Sequence, residues 1–346
     1  MNESVTFIVT IEFNGCMSVK NLLCSSAFMM GTAVIVSLIT YFAGVFPADV
    51  LTAPTRSTIT IFLLAFMMTL SFSRFSYKDL NPVENIRSVS RAVILGLVVA
   101  SVIPLIGYFI IKGIDGGAYE TYAVGLVFIA ATPFAASVAP LSLILRGDLR
   151  HALRSTIIVY IIAMLWIPAI IYLCLGHSVD MVGVLKTVIE IIGIPLILSR
   201  LFTKVKIDKT TMSIVLNCII FFLVWMSVSS ANFGFSATVL VILVLVAVLR
   251  TFFLGNAVEY IERKQGIEWS QRVTDILMTS YKNKGIAIAV CVSLAGSIMV
   301  PNAMAAIATS IVVEVLWVAF MDSVLFSKKR MVRELQAEGK DVSDLM

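Results

Sequence analysis

Long apolar stretches separated by short polar ones run along almost the whole chain. Windows of about 19 residues separate ten of these stretches. Their expected bounds are 27–47, 57–73, 92–111, 119–145, 155–175, 181–199, 212–231, 233–249, 273–296 and 300–325. A helix needs about 17–25 apolar residues to cross the hydrocarbon core of a bilayer. The pattern therefore predicts an all-α membrane protein with ten transmembrane helices, numbered here as segments 1 to 10.

The composition agrees with this class of protein. Of the 346 residues, 59% are hydrophobic and only 14% are charged, whereas a soluble domain carries about 25% charged residues. The sequence contains no Walker-type phosphate loop, no metal-ligand spacing and no clustered basic face. We therefore expect no cofactor, no metal and no nucleic-acid partner. The only two histidines, His151 and His177, are expected in polar loops.

The basic residues are distributed unevenly between the loops. Of the 26 Lys and Arg residues, 20 lie in the even-numbered loops and the C-terminal tail, and the odd-numbered loops with their helix ends hold Arg56, Lys112 and Lys186. By the positive-inside rule, the even-numbered loops and both termini are predicted to face the cytoplasm of a cell membrane. Residues 1–26 are expected to form an N-terminal extension, with Met1 or Met17 as the start, and residues 326–346 a cytoplasmic tail.

Two of the ten segments are interrupted. Segment 4 contains Pro133 and Pro140, and each proline removes a backbone donor and disfavours helix geometry at the residue before it. Segment 9 contains the polar run Lys282-Asn283-Lys284-Gly285. The breaks occupy the fourth place of each half, and halves of five segments insert in opposite orientations. Paired breaks in inverted repeats indicate the binding site of a secondary transporter. The alternative is a pair of ordinary kinks.

The sequence around the breaks resembles the bile acid:sodium symporter family. The similar stretches are Phe66-Met67-Met68-Thr69-Leu70-Ser71-Phe72, Thr132-Pro133 through Arg146-Gly147-Asp148, and Tyr281-Lys282-Asn283-Lys284-Gly285. The resemblance covers about residues 30–325. It implies a transporter domain at 27–325, in which core segments 3–5 and 8–10 cross at breaks in helices 4 and 9, and segments 1, 2, 6 and 7 form a panel. It also implies an organic anion as substrate, usually carried with sodium.

The resemblance is lost where the family binds sodium. The family's Glu and Gln of segment 9 correspond to Met278 and Lys282, and its Ser-Asn pair of segment 4 corresponds to Val138 and Ala139. Sodium needs oxygen ligands, which methyl groups do not supply. We expect transport without the family's two sodium sites. A proton is then a candidate coupling ion and sodium a less favoured one. The alternatives are a sodium symporter with relocated sites and a receptor that does not transport.

Lys282 is expected to supply in fixed form the positive charge that sodium supplies elsewhere in the family. It would hold the anion together with Asn283, Ala136 and Ser137. The residues expected to break the helices are Pro133, Pro140 and Gly285. A structural role in an ion pair is the other interpretation of Lys282.

Lys284 is expected to need a carboxylate partner. A charged side chain at the bilayer centre costs about 2.5–3.5 kcal/mol on insertion scales. The candidate partners are Glu190, Asp275 and Glu314.

Two other classes of protein agree less well with the sequence. A membrane enzyme would need a nucleophile and a base, but Ser280 and Lys282 are two residues apart and face different sides of a helix. A channel is physically close to an uncoupled carrier, and the paired breaks favour the carrier. The substrates of the family range from steroids to small carboxylates. The motif residues of this chain differ too much from those of the family to predict which substrate it carries.

Overall fold

The computed structural model describes residues 19–73, 86–176, 179–203, 205, 207–294 and 299–342. Within these ranges the regular secondary structure is helical, apart from one isolated β-bridge. The helices are α1 (Val19–Cys24), α2 (Ser26–Phe42), α3 (Ala53–Phe72), α4 (Ile86–Lys112), α5 (Glu120–Ala131), α6 (Val138–Ile144), α7 (Leu149–Leu175), α8 (Met181–Phe202), α9 (Lys209–Ser229), α10 (Ala237–Lys264), α11 (Trp269–Ser280), α12 (Lys284–Ser293), α13 (Met299–Leu325) and α14 (Lys328–Ala337).

Seven of the described helices are long and apolar enough to span a membrane, namely α3, α4, α7, α8, α9, α10 and α13. Helices α2, α5 and α12 are apolar but shorter. Predicted segment 4 is divided into α5 and α6, and predicted segment 9 into α11 and α12. The protein is therefore all-α with several candidate membrane spans. The complete arrangement of ten spans in two inverted repeats stays a prediction.

Several basic residues expected in loops lie on helices instead. They are Arg87, Arg91, Arg150, Arg154, Arg200, Lys209, Arg250, Arg263, Lys264 and Arg272. A window that is chosen for apolar residues ends near the first charged residue, whereas the helix itself continues past that residue. A helix of 27 residues at 1.5 Å each spans about 40 Å, which is more than the hydrocarbon core of about 30 Å. His151 was also expected in a loop, but it lies in the first turn of α7 and is buried.

The helix packing keeps α2 and α3 on one side of the molecule, with α2 along α9 and α3 along α8. On the other side, α5 lies between α4, α7 and α13, and α10 packs against α11 and α13. Contacts of α3 with α12 and of α2 with α13 join the two sides. Small residues allow close approach where apolar packing alone must hold helices together. At Gly125 of α5, an added Cβ would lie 2.2 Å from the carbonyl oxygen of Ala303 in α13.

The C-terminal tail contains a docked helix. Met331 and Leu335 of α14 are buried. Arg330 contacts the carboxylate of Glu259, and Glu334 accepts a 2.7 Å hydrogen bond from Arg272. The tail therefore packs against the end of the bundle where α10 ends and α11 begins. Four of the basic residues expected in the even-numbered loops lie outside the described residues, namely Arg74, Lys78, Lys204 and Lys206. The same holds for His177, residues 1–18 and residues 343–346.

Candidate functional site

The two breaks lie directly against each other. The amide of Asn283 donates a 2.8 Å hydrogen bond to the carbonyl of Pro133, and the amide of Ala135 donates one of 2.8 Å to the carbonyl of Tyr281. These bonds form an antiparallel bridge between Phe134 and Lys282. Buried backbone outside a helix must find partners. Each break supplies partners to the other, so the crossing is a single structural unit.

Local sequence determines where each helix stops. Thr132 has an extended backbone, with ψ of 150°, as expected for a residue that precedes a proline. Pro133 therefore lies in the break. Pro140 lies beyond it, in the first turn of α6, where its missing N–H costs no bond within the helix. In the second break, the side-chain oxygen of Asn283 caps α12 by accepting a 3.1 Å hydrogen bond from the Ile286 amide.

The ammonium of Lys282 lies in a cage of oxygen atoms. Its Nζ lies 2.6 Å from the carbonyl oxygen of Thr132, 3.1 Å from that of Ala130, 3.2 Å from that of Gly96 and 3.3 Å from the hydroxyl oxygen of Ser101. The side chain is only 1% exposed. Two of these carbonyls belong to the C-terminal end of α5, which carries partial negative charge. Gly96 lies in a π-helical turn of α4, Ile94–Val99. The fixed cation thus occupies the end of the broken helix.

Tyr160 of α7 links the two breaks from one side. The amide nitrogen of Asn283 donates a 2.7 Å hydrogen bond to its hydroxyl, and this hydroxyl donates one of 2.8 Å to the carbonyl of Phe134. Asn283 therefore uses both ends of its amide within the crossing. Both side chains are buried. The role of Tyr160 could not be predicted from the sequence, because a tyrosine inside an apolar segment carries no distinguishing pattern.

A second cation lies at the end of the other broken helix. Arg250, in the π-helical turn Leu249–Phe253 of α10, donates a 3.0 Å hydrogen bond to the carbonyl of Ser280. It also donates one of 2.5 Å to Glu314 of α13, and Lys284 lies 2.6 Å from the same carboxylate oxygen. All three charged side chains are at least 90% buried. Each broken helix thus ends at a cation, Lys282 for α5 and Arg250 for α11.

Glu314 is the partner of Lys284 among the three candidates. Glu190 instead lies 3.9 Å from Lys186, one turn away on α8. Asp275 contacts His151 and Arg91. With both lysines protonated, the four side chains Lys282, Lys284, Arg250 and Glu314 carry a net charge of +2. The crossing is therefore electropositive when both lysines are protonated.

The other predicted site residues surround the crossing. Ala136 is 9% exposed, and Ser137 is partly exposed next to it. Gly285 lies in the first turn of α12, where a Cβ would come within 2.6 Å of Leu64 on α3. In this conformation α3 therefore closes one side of the crossing.

A small cavity of about 20 Å³ lies between α3, α12 and α13, beside the end of α9. Its lining includes Arg56, Ser230, Val292 and Pro301. The guanidinium carbon of Arg56 is 5.7 Å from the centroid of the Phe46 ring. The cavity therefore offers an opening between helices with one guanidinium group in its lining.

Among the described residues, no group of three His, Cys, Asp or Glu side chains could hold a metal ion.

An all-α protein with several candidate membrane spans, whose interrupted helices meet at buried cations, has the architecture of a helical membrane transporter. The model of the sodium bile acid symporter family matches residues 60–251, more than half of the chain. The protein therefore belongs to this family. No curated protein matches the chain. The family match includes the first break and Arg250, whereas Lys282 lies beyond its end.

Membership agrees with the resemblance noted from the sequence. The members of this family are transporters, so the chain belongs to a class of membrane transport proteins rather than to a class of enzymes. The family's name refers to sodium. In this chain, the oxygen cage at the end of α5 holds the Lys282 ammonium.

Proposed function

We propose that the protein carries an organic anion across the cell membrane by alternating access, with fixed side-chain cations in place of the family's sodium ions. The observation that carries the proposal is the position of the Lys282 ammonium among three backbone carbonyls and one hydroxyl. Oxygen atoms at the end of a helix form a natural cation site. A tethered ammonium in that site leaves no room for a free cation.

The charge of the crossing supports an anionic substrate. Glu314 neutralises one of the three buried cations, and two positive charges remain when both lysines are protonated. Removing these charges from water is expensive unless they meet an opposite charge. An organic anion that reaches Ser137 and Asn283 would supply it. The negative charge of the anion would then replace the water that the buried cations lose when the crossing is closed.

Access to the crossing would come from movement of α3. Leu64 lies against Gly285 in the present conformation, so a shift of α3 relative to α12 would uncover this side of the crossing. The cavity beside Arg56 lies at the same helix interface. We infer that Arg56 receives the anion on one side of the membrane. The inverted repeats, the panel and core, and cytoplasmic termini belong to this proposal.

Reconstitution into proteoliposomes tests the function directly. Labelled taurocholate and pyruvate represent the steroidal and the small anions of the family range. The expected result is uptake of at least one anion that is unchanged when sodium replaces potassium. A strong sodium dependence would refute the replacement of sodium and favour a symporter with relocated sites. Tight binding without flux would favour a receptor that does not transport.

Lys282→Gln is the matched variant for the role of the fixed charge. Glutamine can still donate two hydrogen bonds to the cage but brings no charge. We expect this variant to lose uptake, or to regain it only in sodium. Lys186→Gln is the control, because the Lys186 side chain is 75% exposed and lies away from the crossing. Equal uptake by wild type and Lys282→Gln would remove Lys282 from the mechanism.

A further inference from the structure

Four helices bring titratable side chains together at a second buried site. Asp275 of α11 is fully buried, and its Oδ1 is 3.2 Å from Nε2 of His151 in the first turn of α7. Arg91 of α4 lies 3.5 Å from Oδ2 of Asp275 and 3.9 Å from Oε1 of Glu262 on α10. We call Arg91, His151, Glu262 and Asp275 the carboxyl cluster. The crossing does not use any of these four residues.

The carboxyl cluster has fewer hydrogen-bond donors than its carboxyl oxygens require. The guanidinium of Arg91 lies against both carboxyl groups, so Glu262 and Asp275 are close neighbours. Oε2 of Glu262 and Oδ2 of Asp275 nevertheless have no hydrogen-bond donor among the described residues. Two ionised carboxylates only accept hydrogen bonds and repel each other. A single proton removes this repulsion and turns one of the two carboxyl groups into a hydrogen-bond donor.

The histidine of the cluster is held by hydroxyl groups. Its Nδ1 lies 2.5 Å from the hydroxyl of Ser88 and 3.1 Å from that of Ser155. Its backbone amide donates to Asp148, which caps α7. The ring is thereby fixed with Nε2 towards Asp275. It can donate one hydrogen bond to Oδ1, but it does not reach the oxygens that lack a donor.

The neighbouring charges are already balanced against one another. Arg272 of α11 pairs with Glu259 of α10 and with Glu334 of α14. Arg330 of α14 also contacts Glu259, and Arg263 of α10 contacts Glu334. Among the described residues, none of these basic groups forms an ion pair with Glu262 or Asp275.

The charge balance of the cluster favours one bound proton. With a neutral His151, the cluster contains one cation and two carboxylates, which gives −1 in a buried place. One bound proton brings this charge to zero. The Arg91 side chain is 30% exposed, while that of Glu262 is 6% exposed. Arg91 therefore connects the cluster to water.

We propose that Glu262 and Asp275 form a proton-binding site that shares one exchangeable proton and couples a proton gradient to transport. The coupling rests on the transport function proposed above. Asp275 and Lys282 both depend on α11: Asp275 lies on this helix, and Lys282 follows its last residue, Ser280, by two positions. The five residue steps from Asp275 to Ser280 span about 7.5 Å of helix. Protonation of Asp275 or Glu262 would change the charge that holds α11 against α4, α7 and α10, and the break would move with it.

Infrared difference spectroscopy of the purified protein tests proton binding without any substrate. Acidification from about pH 9 to about pH 5 covers the range in which ordinary carboxyl groups remain ionised. We expect the carbonyl band of a protonated carboxyl group to appear in the wild type. Glu262→Gln and Asp275→Asn should each remove it and lower the proton uptake by about one per protein.

Glu268→Gln is the matched control for this experiment. Lys340 donates a 2.8 Å hydrogen bond to Glu268 and lowers the pKa of that carboxyl. Glu268 therefore stays ionised throughout the titration, and its replacement should leave the band unchanged. The wild type itself provides the test if a variant does not fold. Absence of the band in the wild type, or its persistence in folded Glu262→Gln, would overturn the proposal.

Flux measurements separate this inference from the transport function. In proteoliposomes, a pH gradient should drive accumulation of labelled anion by the wild type, whereas Glu262→Gln should only exchange it. Exchange by the wild type without any effect of the gradient would overturn the coupling and leave the carrier intact. A carboxyl band without any flux would support the proton site and count against the carrier.

Discussion

Replacing Glu314 by glutamine tests the electrostatics of the crossing most directly. This carboxylate is 1% exposed and accepts a 2.5 Å hydrogen bond from Arg250, with Lys284 at 2.6 Å. Glutamine has nearly the same shape but no charge. In Glu314→Gln, two buried cations therefore lose their shared counter-ion, while the packing around α13 is kept.

The size of the effect follows from burial. Removing one partner of a buried ion pair costs about 3–5 kcal/mol, because the remaining charge is left uncompensated. Arg250 retains its hydrogen bond of 3.0 Å to the carbonyl of Ser280, so Arg250 should account for the smaller part of the lost stability. Within the described part of the chain, Lys284 forms an ion pair with Glu314 alone, so it should account for most of the loss. We expect a decrease of about 3–5 kcal/mol in the free energy of unfolding, a large part of a typical stability of about 5–15 kcal/mol.

Equilibrium unfolding in mixed micelles, followed by tryptophan fluorescence, measures this loss. Glu190→Gln is the control, since its pair with Lys186 is largely exposed at 3.9 Å and should contribute only about 0–1 kcal/mol. The double variant Glu314→Gln/Lys284→Met lacks one of the two uncompensated charges. Its free energy of unfolding should therefore be about 0.5–3 kcal/mol higher than that of Glu314→Gln. Equal stability of Glu314→Gln and Glu190→Gln would refute the argument, as would a double variant less stable than Glu314→Gln.

Three further outcomes follow from the helix contacts. Gly125→Ala should destabilise the protein by about 1–3 kcal/mol in thermal unfolding, because the added Cβ would meet the backbone of α13. Gly31→Ala is the control and should be neutral, because the nearest neighbour of its Cβ is a side chain at 3.7 Å. Equal melting temperatures of the two variants would contradict the close packing at Gly125. Leu335→Asp puts a charge into the buried face of α14, so hydrogen exchange at the start of α11 should become faster; an unchanged rate would mean that the tail does not support that end. In cells, an impermeant maleimide should label Asp49→Cys but not Lys340→Cys; the reverse would place the C-terminus outside.

The broken helices could be predicted because their sequence signals conflict with the surroundings. A charged run inside an apolar segment, as at Lys282 and Lys284, has no place in a regular membrane helix. Prolines give a less specific signal. Pro133 interrupts the helix, whereas Pro140 lies in the first turn of the next one. Both positions suit proline, so the sequence alone does not distinguish a break from a helix start.

The partners of the buried charges could not be predicted. Helical spacing relates residues on one helix but does not select among Glu190, Asp275 and Glu314 on different helices. The cage around Lys282 consists mainly of backbone carbonyls, which every residue possesses. Arg250 was placed in a loop because the apolar window stops at a charge, whereas the structure buries it at the end of α11. Contacts between distant parts of the chain decide these features.

A fixed cation changes the energetics of transport as well as its geometry. A sodium ion that crosses with the substrate brings the free energy of its own gradient. Lys282 stays in the protein, so it strengthens anion binding in both directions equally and supplies no driving force. A carrier with this cation alone can equilibrate its substrate but cannot accumulate it. Accumulation needs an ion that moves, and the protonated pair of Glu262 and Asp275 would provide one. Wild-type protein should therefore concentrate the anion only under a pH gradient, and Glu262→Gln should stop at equal concentrations on both sides; accumulation without any ion gradient would contradict both the fixed-cation and the proton-site arguments.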